Sequence, residues 1–434
     1  MKTKICRKAL RGYLKETIYF TLCCLFLSLR TVCASDEALN LQDLIDESLK
    51  SNHEILVSES SVAVSGYKIP QVKSLPDPLF TFGYQNDGFG QYTYGKSDQA
   101  WWMFSASQMF PFPGKLSLKG EVAAQEAESL KSSYREIKLM TIEKVKELYY
   151  DLFLAYKDID LIRDRTILFS RIEDAAVARY SSGMGVQEEV LMAQTEKYML
   201  LEKEEMLKQK IQSLESMLNS TIGRDITSPL GRPVEPGRTE LSLSMEELLK
   251  RHVEHSPFVK EKERMVAAAE AKVKIAEKEY YPDFTLNAGY FKRGGEFEDM
   301  WSFTTTINIP IFYRTKQRQG VLEAQALLTA AEHELQGAKI MISSTIRDNY
   351  TMTKTADSLM GLYKDGLIPK TYQDFESALA GYVTGKVEAI TVISRLKALL
   401  EYETSYWGQF VEREKAIAKL ESITGGMDLQ LRGE

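Results

Sequence analysis

Tyr180-Ser181-Ser182-Gly183 recurs 202 positions later as Tyr382-Val383-Thr384-Gly385. A long stretch of helical periodicity precedes each copy, and another follows it. Because glycine adopts positive φ angles without steric cost, each copy predicts a tight reversal between two helices. We therefore expect two long helical hairpins, with turns at Gly183 and Gly385.

Segments outside the turns recur with nearly the same spacing. Such repetition predicts a duplicated module, at 41–223 and 243–424. Each module is expected to hold a short amphipathic helix, two strands ending at a proline, a very long helix and a return helix. The domains follow as a signal peptide at 1–34, a first repeat at 35–230 and a second at 231–434. The matching segments are Leu44, Leu49, Asn52 and Ile55 with Leu248, Val253, Ser256 and Val259; Leu75-Pro76-Asp77 with Tyr281-Pro282-Asp283; and Phe110-Pro111-Phe112 with Ile309-Pro310-Ile311.

The N-terminal segment has the pattern of a secretory signal peptide. A basic start precedes an apolar run from Ile18 to Leu29, and small residues predict cleavage after Ala34. All four cysteines lie before that point, and Cys33 stands in a poor context for lipid attachment. Without this segment the chain has 48 basic and 60 acidic residues, a net charge of −12. That balance argues against a nucleic-acid partner.

The helical seams have the spacing of a coiled coil. From about Gly114 to Ser181, apolar or small residues recur at alternating steps of three and four, as they do in left-handed supercoils. A helix of this length extends roughly 100 Å. The seam is rich in Ala, Thr and Tyr, which suits helices with neighbours on both sides, as in the wall of a tube. A solitary antiparallel rod is the alternative. Pro369 predicts a kink in the second long helix.

Four short segments alternate between apolar and polar residues, as strands of a membrane β-barrel do. The four sets of residues expected on the apolar side are Phe80, Phe82 and Tyr84; Trp102, Phe104 and Ala106; Phe284, Leu286, Ala288 and Tyr290; and Trp301, Phe303, Thr305, Ile307 and Ile309. Four strands cannot close a barrel, and an open sheet in lipid would leave unpaired backbone groups along its edges. Several copies would therefore have to share one barrel. A soluble four-stranded sheet is the alternative interpretation.

The motifs resemble those of the TolC-like outer membrane efflux protein family, and in particular those of its members associated with heavy-metal export. Gln108-Met109-Phe110-Pro111-Phe112-Pro113-Gly114-Lys115 is similar to the family's strand-to-helix junction. Arg179 to Gly183 and Gly381 to Gly385 resemble its two hairpin tips, and Leu367-Ile368-Pro369 the proline step before the second tip. The second junction, with Arg314-Thr315-Lys316, lacks the glycine that follows Pro113 and is the weaker match.

The resemblance implies a mainly α fold with a membrane β-barrel. Three copies would form a 12-stranded barrel in the outer membrane above a helical α-barrel in the periplasm. The implied partners are the chain's own copies in a homotrimer, outer membrane lipid, an inner-membrane pump, and a periplasmic adaptor that grips the hairpin tips. Tyr180, Gly183, Tyr382 and Gly385 are therefore the candidate docking residues.

No pattern of catalytic, cofactor-binding or metal-binding residues stands out. His252 and His255 have helical spacing, but no cysteine supports them, and Glu254 fits an ordinary charged helix face. We expect no enzyme and no cofactor. The leading hypothesis is a passive exit duct of a tripartite efflux system, for metal cations or drugs. The alternative is a soluble periplasmic coiled-coil adaptor or scaffold.

Overall fold

A computed structural model describes residues 38–426 of the chain, without the side chains of 251–254. The predicted signal peptide, its cleavage after Ala34 and the question of lipid attachment at Cys33 lie outside the described residues.

The two halves have the same order of elements. The first comprises α1 (Leu41–Ser51), α2 (His53–Lys73), β1 (Leu79–Gln85), β2 (Trp101–Phe110), α3 (Lys115–Ser181) and α4 (Gln187–Ile222). The second comprises α5 (Met245–His255), α6 (Pro257–Lys278), β3 (Phe284–Arg293), β4 (Met300–Ile307), α7 (Gln317–Leu362), a π-helical segment (Tyr363–Leu367), α8 (Ile368–Val383) and α9 (Ala389–Ile423).

Two helices precede the strands in each half, where the sequence pattern predicted one. The break falls at Asn52 and at Ser256, which stand directly before α2 and α6. Asn52 accepts a hydrogen bond from the backbone N–H of Ile55 at 3.1 Å, an N-cap contact that starts a new helix. The recurring Asn and Ser therefore mark a helix boundary that apolar periodicity does not reveal.

The strands lie where the alternation predicted them, with shifted ends. β3 continues to Arg293, and β4 ends at Ile307 instead of reaching Ile309. Beyond β4, the backbone N–H of Asn308 still donates to the carbonyl oxygen of Asp283, at 2.9 Å. Pro310 follows two positions later and cannot donate to a ladder, which accounts for the early end.

The central element is α3, an unbroken helix of 67 residues. It packs against α2 and α6 near the sheet, and against α4 and α9 toward the tips. Leu152, Ala155 and Ile162, all on the predicted seam, have no exposed surface. The coiled-coil spacing of this helix is thus confirmed, and the core follows the seam along its length.

The outer elements define two sides of the protomer. On one side lie α2, α4 and β1; on the other lie α7, α8 and β4. Each side exposes large apolar residues, although the helices that carry these residues have well-packed inner faces. These residues are Val57, Val64 and Tyr67 on α2, Tyr198 and Met206 on α4, and Leu322, Leu327 and Ile340 on α7. A groove of about 720 Å³ also runs between α2 and α3.

The second long helix is irregular near Pro369, as predicted. The π-helical segment Tyr363–Leu367 precedes α8, and Pro369 lies in the first turn of that helix. Proline has no backbone N–H and crowds the preceding turn, whereas a π segment adds one residue to the turn and relaxes that crowding. The helix therefore changes pitch here instead of ending.

The segment between the halves is fastened by a buried polar cluster. Arg413 and Glu414 are 2% and 1% exposed and pair with each other. Arg413 also donates to Asp357 at 2.5 Å, while Glu414 accepts from the backbone N–H of Thr239 at 3.2 Å. These contacts join the connecting segment to both α7 and α9. Because the pair is fully enclosed, loss of either partner would leave a buried charge.

Candidate functional sites: an apolar sheet face and two hairpin tips

The four strands form one antiparallel sheet in the order β1-β2-β3-β4. Its register brings the four apolar sets predicted from sequence onto a single face. Phe82 lies opposite Phe104, Phe104 opposite Tyr290, and Tyr290 opposite Trp301. Since side chains alternate between faces, an apolar row across four strands requires every register to agree.

The two faces differ in chemistry. One, which we call the apolar face, is mostly apolar, with Gln108, Lys292 and Thr305 as its polar residues. Its apolar residues are Phe80, Phe82, Tyr84, Trp102, Phe104, Ala106, Phe110, Phe284, Leu286, Ala288, Tyr290, Trp301, Phe303 and Ile307. The other, the polar face, carries mostly Thr, Ser, Asn and Gly over most of its length. Trp301 and Phe80 on the apolar face are 81% and 71% exposed. Stacked rings join Phe82 to Trp102 at 5.2 Å between centroids. An uncovered apolar face of this extent suits lipid or another protein.

Both edges of the sheet are open. β1 pairs only with β2, and β4 only with β3, within the part of the chain that the structure describes. Each edge therefore presents a row of unpaired backbone donors and acceptors, which is a template for another strand. Across the described helices, none has the length and apolar character needed to cross a membrane.

The first strand-to-helix junction is held by a buried lysine. The side chain of Lys115 is 3% exposed, and its Nζ donates to Asp283 at 2.9 Å and to Glu279 at 3.2 Å. Asp283 also accepts from the backbone N–H of Phe112 at 2.7 Å. Gly114, with a φ of 94°, lets the chain turn directly into α3. These contacts fix α3 to the junction between α6 and β3.

Gly183 and Gly385 make the two reversals that the sequence predicted. Their φ angles are 72° and 76°, in the left-handed region that other residues rarely adopt. The N–H of Gly183 donates to Tyr180 at 3.0 Å, and that of Gly385 donates to Tyr382 at the same distance. The two turns are therefore closed by equivalent hydrogen bonds.

A single arginine joins the two tips. Arg179 Nη1 donates to the carbonyl oxygen of Tyr382 at 2.8 Å, and its guanidinium lies 4.9 Å from the centre of the Tyr382 ring. Nη2 donates to the carbonyl oxygen of Met184 at 3.1 Å, within its own turn. Glu189 completes the cluster by accepting from the Tyr382 hydroxyl at 3.0 Å. The tips thus lie side by side at one end of the molecule.

The two tip tyrosines are not equivalent, although the sequence pattern treated them alike. Tyr180 is 50% exposed, whereas Tyr382 has no exposed surface. Burial and the hydrogen bond to Glu189 raise the pKa of Tyr382 to about 12. Tyr382 therefore lies beneath the tip surface and cannot present its side chain to a partner. Tyr180, Met184, Val186 and Val383 form the exposed apolar part of the tips.

Sequence reasoning missed Arg179 and Glu189. Arg179 stands directly before the recurring tyrosine, but the position 202 residues later is Gly381. A search for residues shared by the two tips passes over an arginine that only one of them has. The signal available in the sequence was that the first tip supplies an arginine, Arg179, for which the second tip has no equivalent.

The described residues contain no group of three or more His, Cys, Asp and Glu side chains that could hold a metal ion. The side chain of His252 lies outside the described residues. The expectation that His252 and His255 form no metal site therefore remains a prediction. The candidate functional features are therefore contact surfaces on an elongated scaffold. They are the apolar face of the sheet, its two open strand edges and the exposed tip.

Residues 248–425 match the family described as outer membrane efflux protein. Over 333 residues the chain is 21% identical to the probable outer membrane lipoprotein SilC of Salmonella typhimurium, covering 73% of this chain and 70% of SilC. It is 22% identical to the cobalt-zinc-cadmium resistance protein CzcC of Cupriavidus metallidurans over 179 residues, 41% of this chain and 42% of CzcC. The solved structure of the Campylobacter jejuni CmeC outer membrane channel superposes with a TM-score of 0.74 at 13% identity, covering 89% of this chain and 85% of CmeC.

The fold similarity extends over both halves, whereas the family match covers the second. The strand-to-helix junction of the first half matches the family's motif more closely than that of the second. It is also the junction held by buried Lys115. Together the comparisons support the resemblance seen in the motifs: the second half matches the outer membrane efflux protein family, and the fold over most of the chain is similar to that of solved outer membrane channels.

Proposed function

We propose that this protein is the outer membrane channel of a tripartite efflux system, a passive duct through which cargo leaves the cell. The observation that carries the proposal is the sheet, which has one apolar face across four strands and two open edges. In lipid, a sheet must close to satisfy its backbone groups. Because one chain supplies four strands, closure requires other copies. The similarity to an outer membrane channel along most of the chain favours this function over that of a soluble adaptor.

Three copies would give a barrel of 12 strands. The side formed by β1, α2 and α4 would meet the neighbour's side formed by β4, α7 and α8. Such a head-to-tail contact generates a closed ring when its rotation closes. The exposed apolar residues of α2, α4 and α7 lie on these two sides and would be covered in the ring. β1 and a neighbour's β4 would run antiparallel, which continues the alternation within the sheet.

The shared order of elements in the two halves supports a duplicated origin for the chain. Residues separated by 204 positions have the same surroundings: Leu44 and Leu248 are both buried, as are Ile55 and Val259. Because each copy would contribute two similar halves, the wall of the ring would be nearly uniform around its circumference. Three copies would then place six hairpins around the helical barrel.

The hairpin tips would dock a periplasmic adaptor, which connects the duct to an inner-membrane pump. Support comes from the exposed apolar residues beside Gly183 and from the position of both tips at the end opposite the sheet. Metal cations or drugs are the proposed cargo. The name of CzcC, a cobalt-zinc-cadmium resistance protein, favours metal cations.

The proposal is tested by fractionating cells that express the full chain. We expect the protein in the outer membrane, soluble only in detergent, and migrating as a heat-sensitive oligomer of three copies. Cells lacking it should accumulate its cargo, and Gly183→Trp should impair export while leaving the oligomer intact. A water-soluble monomer would contradict the channel, whereas normal export by Gly183→Trp would contradict docking at the first tip.

A further inference from the structure

The polar face of the sheet changes character at the end farthest from the helices. Near the helices its cross-strand rows are polar: Ser105 lies opposite Gly289, and Gly289 opposite Ser302. One row farther out, Gly83 lies opposite Met103, Met103 opposite Phe291, and Phe291 opposite Met300. A row of apolar residues and glycine thus crosses all four strands, directly beyond the polar rows in the middle of this face.

A cavity of about 490 Å³ opens on this face between β1, β2 and the loop that joins them. Trp101 and Phe89 line it, together with Met103 and the edge formed by Gln85 and Asn86. Gly83 has no side chain to occupy this space, and a Cβ there would lie in ordinary contact with the Met103 methyl group, at 3.5 Å. The volume lies in the range of sites that hold small organic molecules.

The walls of the cavity are held in place. Trp101 packs edge-on against Phe291 at 5.9 Å between ring centroids. The loop carrying Phe89 is organised by Asn86, whose side chain accepts from the N–H of Thr93 at 2.9 Å and donates to the carbonyl oxygen of Gln91 at 2.8 Å. The strand side of the cavity is therefore packed and the loop backbone is fixed, while the Phe89 ring itself is fully exposed.

The lining residues select for one class of ligand. Two aromatic rings and a thioether favour stacking with a planar apolar ring system, while the side-chain amide of Gln85 offers hydrogen bonds at the rim. No lining residue is charged. A positive charge on the ligand would be tolerated next to the electron-rich ring faces.

We propose that this cavity is a binding site for planar aromatic solutes on the inner wall of the channel, at its outer mouth. Its position inside the channel rests on the proposed function, because the polar face becomes the lumen only when the sheets close into a barrel. Of the two proposed classes of cargo, the site would hold drugs with planar aromatic rings, at the last point before release.

The test is titration calorimetry on the intact oligomer in detergent, with ethidium as the planar probe and tetrapropylammonium as a cation without aromatic rings. We expect saturable binding of ethidium and none of tetrapropylammonium. Trp101→Ala should weaken ethidium binding by about tenfold, the scale of one lost stacking contact. Trp102→Ala is the matched control, because this neighbour lies on the opposite face, and it should change affinity by less than about twofold.

Gly83→Val occupies the part of the cavity beside Met103 without removing a wall, and it should weaken ethidium binding even if Trp101→Ala proves unstable. Absence of ethidium binding, or equal effects of the two tryptophan variants, would overturn the site. These outcomes are independent of the channel proposal: an oligomer that lacks ethidium binding contradicts only the site, whereas a water-soluble monomer contradicts the channel.

Discussion

The two halves share an order of elements but differ in how firmly each is fixed. The first long helix is unbroken and begins at a junction held by buried Lys115. The second begins after the exposed turn at Arg314 and is interrupted by the π-helical segment Tyr363–Leu367. At the tips, Arg179 of the first half holds Tyr382 of the second. The first half therefore acts as the scaffold, and the second half is fastened to it at both ends.

The largest effect is expected at the junction. Lys115→Met would leave Asp283 and Glu279 without their cation and should lower the free energy of unfolding by about 3 kcal/mol, the scale for a broken buried pair. Arg314 occupies the equivalent place in the second half, 199 positions later, and is exposed. Arg314→Met should therefore stay within about 0.5 kcal/mol of the native protein.

Thermal unfolding of the detergent-solubilised protein, followed by helical circular dichroism, measures both variants. Equal midpoints for Lys115→Met and Arg314→Met would contradict the difference between the two junctions.

The next effect concerns the contact between the tips. Arg179→Ala removes hydrogen bonds to the carbonyl oxygens of Tyr382 and Met184, worth about 2 kcal/mol together. Amide hydrogen exchange over residues 381–388 should accelerate accordingly. Arg171→Ala is the control, because Arg171 pairs with Glu376 of the same neighbouring helix through an exposed contact at 3.5 Å. Unchanged exchange in Arg179→Ala would show that the second tip does not depend on the first.

The two turn glycines allow a finer comparison. Alanine at either position would be strained by about 1–2 kcal/mol, because both φ angles are positive. Gly385→Ala has a further cost, since its Cβ would lie 3.1 Å from Arg179 Nη1, whereas Gly183→Ala would meet nothing within 4 Å. We expect the Gly385 variant to be less stable by hydrogen exchange at the tips. The opposite order would argue against a tip held by Arg179.

A further effect is a pH dependence on the first long helix. Burial, with the Glu261 carboxylate second, raises the pKa of Glu136 from 4.5 to about 7. Between these values the folded state keeps a proton that the unfolded state releases, so stability falls as pH rises from about 4.5 to 7. Glu136→Gln should flatten this slope in a series of melting temperatures, and Glu128→Gln, an exposed control on α3, should preserve it. A slope that persists in Glu136→Gln would assign it to another group.

Periodicity was sufficient to place the long helices and the strands, because their apolar residues face one direction over many positions. It missed the boundary between α1 and α2, since an N-cap such as Asn52 interrupts the helix without changing the apolar pattern. At the tips, glycine identified the turns because positive φ is a local requirement. The burial of Tyr382 was not predictable from the repeat, because it depends on Arg179 reaching across from another hairpin.

Cross-linking between the open strand edges tests the central claim most directly. The chain has no cysteine after residue 33, so single cysteines can be placed on β1 and β4. Thr81→Cys would be combined in turn with Ser302→Cys and Thr304→Cys, all on the polar face, and oxidised in native membranes. We predict that one combination yields a covalent three-chain product that neither single variant forms. If every combination yields monomers without any cross-link, that result would contradict a barrel shared among copies.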